Sequence, residues 1–353
     1  MAEILGQDDA LDLLRRARAT GRVHHAWVFA GPTGVGKFTT ALALARELLT
    51  PEDDPEGRTA TLIAADAHPD LHVIRKELAL YSDNAQLRTR KLSNIPLDVL
   101  REHMIGGKTG DDKRHDAPAY RTAVLGHNKV FIIDEAELID TNGQNALLKT
   151  LEEPPPGTYI FLITDRPERL LPTIRSRCQH AGFTPLDAAA MAAWWERSPV
   201  EVDPADRPWI ERFANGAPGV VVRAVEAGLP EWRRILTPMI DQLDRGTFPA
   251  TMGETMAGLV ETYATEWVRA HKNASKDAAN KDGAAALIGL LAMELRERLA
   301  AVTATRDRPA IERQLAAITH VREAERQLRT NVNLKQVFEN LPAQWARPVS
   351  TLG

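Results

Sequence analysis

The sequence predicts an α/β fold: a parallel-sheet domain in the N-terminal half, followed by a helical remainder. Three observations predict it. The apolar runs at 26–30, 130–133 and 159–163 are near-continuous, as strands buried on both faces are. Helix-like segments separate them, so strand and helix alternate along the chain. After about Pro185 the strand-like runs stop, and the rest reads helical.

Composition agrees. Hydrophobic residues make up 44% of the 353, enough for a sizeable core, while aromatics are only 5%. At roughly 150 residues per domain the length allows two or three domains. The single cysteine, Cys178, excludes an internal disulfide framework and a multi-cysteine zinc site, and points to a reducing, cytoplasmic compartment. The first residues lack the basic-then-apolar pattern of a signal peptide, and no apolar run is long enough to span a bilayer, so no membrane association is expected. A net charge of −4 argues against a chain that binds polyanions over its whole surface, although it does not exclude a local basic face.

In order, residues 8 to 20 read as a helix with Ala10, Leu11, Leu13 and Leu14 among arginines. Ala26–Ala30 is a buried strand. A Gly-rich turn leads into a helix from about Lys37 to Leu49, with Ala41, Leu44, Ala45 and Leu48 on one face and Pro51 beyond its end. Residues 51 to 68 are polar and loop-like, and 71–74 is a short strand. The Gly- and Asp-rich stretch within 106–128 reads as an exposed insertion. Val130–Ile133 is a second buried strand, followed by a helix from about Gly143 to Glu153 that Pro154, Pro155 and Pro156 stop. Tyr159–Ile163, ending at Thr164, is the third buried strand. Helix breaks are expected near Pro204, Pro218, Pro230 and Pro249.

Gly31, Pro32, Thr33, Gly34, Val35, Gly36 and Lys37 match G-x-x-x-x-G-K between a strand and a helix, the context a phosphate-binding turn requires. Its N–H groups and the helix N-terminus favour phosphate oxygens, and Lys37 would reach the β- and γ-phosphates. ATP is therefore a candidate ligand. The motif continues with Ser or Thr, whose hydroxyl ligates Mg²⁺, but here Phe38 follows. Phenylalanine offers no oxygen to a hard cation, and Thr39 and Thr40 leave the helix at other angles. The sequence thus allows nucleotide binding and argues against metal-assisted hydrolysis. Asp134 closes an apolar strand at the edge where open α/β sheets bind ligands, and Glu135 follows it. In such sites the aspartate helps hold Mg²⁺ and the glutamate can polarise water.

With these features assembled, the chain resembles the AAA+ clamp-loader family. The runs that carry the resemblance are 25–32 (HAWVFAGP), 68–70 (HPD), 130–136 (VFIIDEA), 145–154 (NALLKTLEEP) and 171–178 (LPTIRSRC), together covering most of residues 4 to 186; 328–333 (LRTNVN) is similar to the family's last helical domain. The resemblance implies an AAA+ P-loop domain over 1–185, a helical lid over 186–232 and a helical collar over 233–353. It implies that Arg177 is an arginine finger acting in trans on a neighbour's ATP, that Thr164 senses the γ-phosphate, and that Cys178 is structural. It also implies partners: motor subunits, a clamp-opening delta subunit, the sliding clamp indirectly, and primed DNA through the complex. The family's four-Cys zinc module is missing before His68, so no zinc is expected and His68 reads as structural. No arginine lies in Gly216–Val220, where a second sensor would fall; Arg223 is a turn later. Lys108, Lys113, Arg114 and Arg121 in the insertion are expected to be solvated rather than DNA-bound.

Phe38 and the missing second sensor favour a rigid, non-motor subunit. Lys37, Asp134 and Glu135, with Thr39 as a substitute metal ligand, would instead suit an active ATPase motor. A small-molecule kinase would explain neither the Ser176-Arg177-Cys178 run nor the helical second half.

Overall fold

A computed structural model describes residues 4–19, 23–51, 54, 57–90, 92–271, 275–328, 330 and 332–346. Residue 20 of the first predicted helix, four residues of the 51–68 segment (52, 53, 55 and 56), and Arg329 and Asn331 lie outside the described residues. The chain divides into two compact units: Met1–Pro199 with Asn215–Gly219, and Val200–Ala214 with Val220–Gly353. The first unit therefore runs past residue 185 and takes in the helix Ala188–Arg197. Leu186 N–H donates to the Gly216 carbonyl at 2.7 Å, which ties the returning segment to it.

The first unit is built on five parallel strands: β1 (Ala26–Ala30), β2 (Leu71–Ile74), β5 (Lys129–Ile133), β6 (Thr158–Thr164) and β7 (Gln179–Gly182). Their order is β2-β5-β6-β1-β7, so the phosphate-turn strand β1 lies between β6 and β7. The register pairs Ile74 with Ile133, Ile133 with Leu162, and Ala30 with both Thr164 and Gly182. The strands expected at 26–30, 71–74, 130–133 and 159–163 are all present, the last two slightly longer. β7 carries no apolar pattern, because as an edge strand it buries only Ala181. Val28, Phe131, Ile133, Ile160 and Leu162 form the sheet's part of the core, against Leu147, Leu151 and Ile174 from the helices.

The loop expected over 51–68 contains a helix, Arg58–Ala64, whose Thr59 N–H is accepted by the Asp54 carboxylate. The insertion is less free than its composition suggests. It forms a small antiparallel hairpin, β3 (Gly107–Lys108) with β4 (Arg114–His115), and Ala119 is fully buried. Asp70 of the His-Pro-Asp run, itself buried, accepts the N–H groups of Val124 at 2.7 Å and Leu125 at 2.8 Å. The buried Lys129 ammonium donates to the carbonyls of Ala119 and Arg121. Both ends of this contact lie at the foot of the β2–β5 pair, so the sheet itself holds the insertion down. Lys108, Lys113 and Arg121 pair with Asp112, Asp111 and Asp116 of the same segment.

The second unit is helical. Four of its helices close on one another in a ring: Met252–Ala270 packs on Lys276–Thr305, that on Arg308–Leu328, that on Leu334–Trp345, and the last on the first. Gly253 allows the closest approach, since a Cβ there would lie 2.6 Å from the Glu339 Cα. Asn333 caps the last helix, accepting the Lys335 and Gln336 N–H groups. The helix breaks expected near Pro204, Pro218, Pro230 and Pro249 are all present, and Pro218 and Pro230 each stand in the first turn of the helix that follows, where a missing N–H costs nothing. Among the described residues no helix is long and apolar enough to cross a membrane.

Asp70→Ala removes a buried charged acceptor from two amides. Unfolding stability is expected to fall by about 2–4 kcal/mol, with faster hydrogen exchange at the Val124 and Leu125 amides; urea titration and exchange mass spectrometry check both.

Candidate nucleotide site

Because the sheet is parallel, β1, β2, β5 and β6 end at one edge, and the candidate residues gather there. The turn after β1 is glycine-dependent for two separate reasons. Gly36 caps the helix Lys37–Leu49 in the left-handed region (φ 101°), and a Cβ there would meet nothing within 4 Å, which leaves an open cradle. At Gly31 the reason is proximity, since a Cβ would lie 2.2 Å from the Phe183 carbonyl oxygen. Lys37 is buried and folds back, its ammonium donating to the carbonyls of Gly31 at 2.6 Å and Pro32 at 2.7 Å. Thr33 is exposed and donates to Asp165 at 3.1 Å; Val35 is buried; Thr39 is exposed.

Two residues outside the motif brace the turn. The buried Gln7 amide donates to the carbonyls of Val35 at 3.0 Å and Thr184 at 2.8 Å. Gly219 N–H donates to the Gly34 carbonyl at 2.8 Å, and a Cβ on Gly219 would lie 2.9 Å from the Gly34 Cα. Local sequence gives no sign of Gln7. The Gly216–Gly219 segment is marked by its glycines, and its contribution here is a backbone contact rather than a charged side chain. Arg223 belongs to the second unit.

The acidic pair is not open. β2 and β5 are paired in register up to Ile74 and Ile133, so the next residues of each strand, Arg75 and Lys76, meet Asp134 and Glu135. Arg75 Nε lies 3.3 Å from Asp134 Oδ2, and Lys76 Nζ lies 2.8 Å from a Glu135 carboxylate oxygen. Burial pushes the Asp134 carboxyl up; Arg75 and Lys37 pull it back, and Glu135 adds to the rise. Glu135 itself sits at φ 51°, a left-handed backbone that few non-glycine residues adopt. On the other side of Arg75, its guanidinium lies 4.3 Å from the centre of the Phe38 ring. Mg²⁺ does not fit these donors. The hydroxyl position holds a ring, and the strand-end carboxylate already faces a guanidinium.

Thr164, buried at the end of β6, accepts the Arg166 N–H at 3.0 Å and hydrogen-bonds the buried Glu137. Glu137 also shares a hydrogen bond with Asp165, while its Oε2 has no hydrogen-bond partner among the described residues. Burial first, and the contact with Asp165 second, push the Glu137 carboxyl up to about 7. Asp165 is raised by its own partial burial, but hydrogen bonds from Glu137, Arg166 and Thr33 outweigh this and hold it below the usual carboxylate range.

Arg177 is half-buried on the turn before β7, away from the chain's own phosphate turn in sequence. Its Nη2 lies 2.5 Å from Glu152 Oε1, and Nη1 donates to the Thr173 carbonyl at 2.8 Å. The helix Thr141–Glu152 that carries Glu152 is braced by Gln144, which donates to the carbonyls of Ile139 and Arg169 and accepts the Leu171 N–H at 2.8 Å. Cys178 packs against the core, and burial pushes its thiol up to about 12, so it offers no thiolate at neutral pH. His68 is buried, and its Nδ1 accepts the Asp70 N–H at 3.2 Å, a local structural contact.

The strand order, the phosphate turn after β1, the acid after β5 and the threonine closing β6 together define an AAA+ P-loop domain. The family model described as DNA polymerase III, delta subunit, matches residues 6–187, more than half of the chain, and the chain belongs to that family. It is similar to the DNA polymerase III subunit delta' of Pseudomonas aeruginosa, 32% identical over 59% of this chain and 58% of that protein. It is similar also to the delta' subunit of Bacillus subtilis, 34% identical over 52% of this chain and 50% of that one. The gamma/tau subunit of Mycobacterium tuberculosis is 33% identical over 62% of this chain and 35% of its own length. The chain thus spans from about a third to under three fifths of these relatives.

The unfolded chain ionises Glu137 near 4.5, whereas the folded chain keeps that proton up to about 7. The folded state therefore loses stability as pH rises from about 4.5 to about 7, with no further loss above. Glu137→Gln, which keeps a donor toward Asp165, is expected to leave stability unchanged at pH 4.5 and to raise it by about 2 kcal/mol at pH 8; urea unfolding at the two pH values measures this.

Proposed function

We propose that this chain is a delta-prime-type stator subunit of a clamp loader, the machine that opens a ring-shaped sliding clamp and closes it on primed DNA. The single observation that carries the non-motor part of this reading is the state of the acidic pair: Asp134 and Glu135 face Arg75 and Lys76, and Phe38 stands where a metal-holding hydroxyl belongs. A carboxylate facing a fixed cation is a poor metal ligand, and a glutamate paired with a lysine is a poor activator of water. ATP turnover is then the work of neighbouring motor subunits, and any polymerase activity belongs to the whole holoenzyme.

The chain's contribution to turnover is Arg177, reaching in trans to a neighbour's γ-phosphate. Its present partners, Glu152 and the Thr173 carbonyl, hold the side chain folded at the surface. Both contacts are partly exposed, so releasing them costs little. Thr164 would act as the γ-phosphate sensor only by exchanging its contact with Glu137. The helical lid (186–232) and collar (233–353) would join the subunit to its motor and clamp-opening partners.

The test is ATP turnover by the full chain alone, then in the reconstituted complex with clamp and primed DNA. The chain alone is expected to be inert, and Lys37→Ala to change little. Arg177→Ala is expected to lower turnover at the one neighbouring site it serves by about 10³-fold. Hydrolysis by the isolated chain that Lys37→Ala abolishes would overturn the stator reading in favour of a motor.

A further inference from the structure

In a phosphate turn of this kind, two protein groups hold the divalent cation: the hydroxyl just after the lysine and the carboxylate ending the neighbouring strand. Both positions are altered here, and altered toward the same partner. Phe38 supplies an aromatic face, and Arg75 lies over it at 4.3 Å while its Nε stands 3.3 Å from the Asp134 carboxylate. An aromatic face suits a planar, weakly hydrated guanidinium and is useless to a small cation that demands six oxygens. Together, a ring and a carboxylate make a holder for an arginine.

We propose that Arg75 is the resident cation of this site, so that the phosphate turn binds a nucleoside triphosphate without a divalent metal. The proposal rests on reading the turn as a nucleotide site. Three observations support it. The register of β2 on β5 fixes Arg75 beside Asp134 through the sheet, not through a mobile loop. The side chain remains 43% exposed, so one edge of its five-donor fork is left for phosphate oxygens. The Phe38 ring, 4.3 Å from the guanidinium, and Asp134, 3.3 Å from the buried Nε, hold Arg75 from within the protein, so the donors left for a ligand are those of its outer edge. Lys37, now on the carbonyls of Gly31 and Pro32, would be the second positive group. Two monovalent cations in place of Lys37 and Mg²⁺ would hold a nucleotide while withholding the metal that hydrolysis uses, as a permanent structural ligand requires.

The experiment is calorimetric titration of ATP into the full chain, once in EDTA and once in excess Mg²⁺. It compares wild type with Arg75→Ala, Arg75→Lys and the double variant Phe38→Thr/Arg75→Ala, each first shown to melt as wild type does. Wild type is expected to bind equally in both buffers. Arg75→Ala is expected to bind about tenfold more weakly in EDTA, the loss of one charge-assisted contact, with Arg75→Lys between the two. The double variant is expected to recover affinity only with Mg²⁺. Wild-type binding that needs Mg²⁺ would overturn the inference and leave the nucleotide reading intact. Tighter binding by Arg75→Ala than by wild type would also overturn it, making Arg75 a plug. Absence of ATP binding by every variant in both buffers would overturn both this inference and the nucleotide reading, without touching the role of Arg177.

Discussion

In a parallel sheet every strand delivers its last residue to the same edge, and pairing in register sets which of those residues touch. The rest of this site depends on that constraint. Ile74 opposite Ile133 means that the next residues of each strand are opposed too, so Arg75 meets Asp134 and Lys76 meets Glu135. Ala30 opposite Thr164 likewise brings the phosphate turn beside the end of β6. A shift of β2 by a single residue would turn Arg75 to the opposite face and leave Asp134 facing solvent or a metal.

The charges at this edge are consequently balanced within the chain. Asp134, Glu135 and Asp165 each have a basic partner, while Glu137 keeps its proton to about 7 because it is buried against another acid. Balanced charge suits a subunit that holds a fixed shape better than one that must bind a metal, hydrolyse and release. Arg177 differs, for among the described residues its charged partner is a half-exposed glutamate, Glu152.

The insertion shows the same economy. Asp70 and Lys129, at the starts of adjacent strands, hold its backbone through amides and carbonyls rather than through side chains. Sequence within the insertion can vary under such an arrangement, because the contacts made by the sheet do not depend on it. Three of its cations, Lys108, Lys113 and Arg121, meanwhile pair with aspartates of the same segment.

Local pattern determined a good deal by itself. Strands buried on both faces must be apolar throughout, so β1, β5 and β6 announce themselves, and the glycines of the phosphate turn are required by backbone geometry wherever that turn occurs. The substitution at Phe38 was equally legible, since it is a matter of one side chain's chemistry. Tertiary structure alone decided the rest. β7 is an edge strand with one buried residue and so has no pattern to read. Lys76 and Glu135 are 59 residues apart, and parallel neighbours are always separated by a crossover, so nothing local says which basic residue will face which acid. Gln7 joins Val35, 28 residues on, to Thr184, 177 residues on, a link that no local pattern signals. The sequence by itself determined that a phosphate turn exists and that its metal-binding hydroxyl is lost; the register of the sheet decided that an arginine stands in that place.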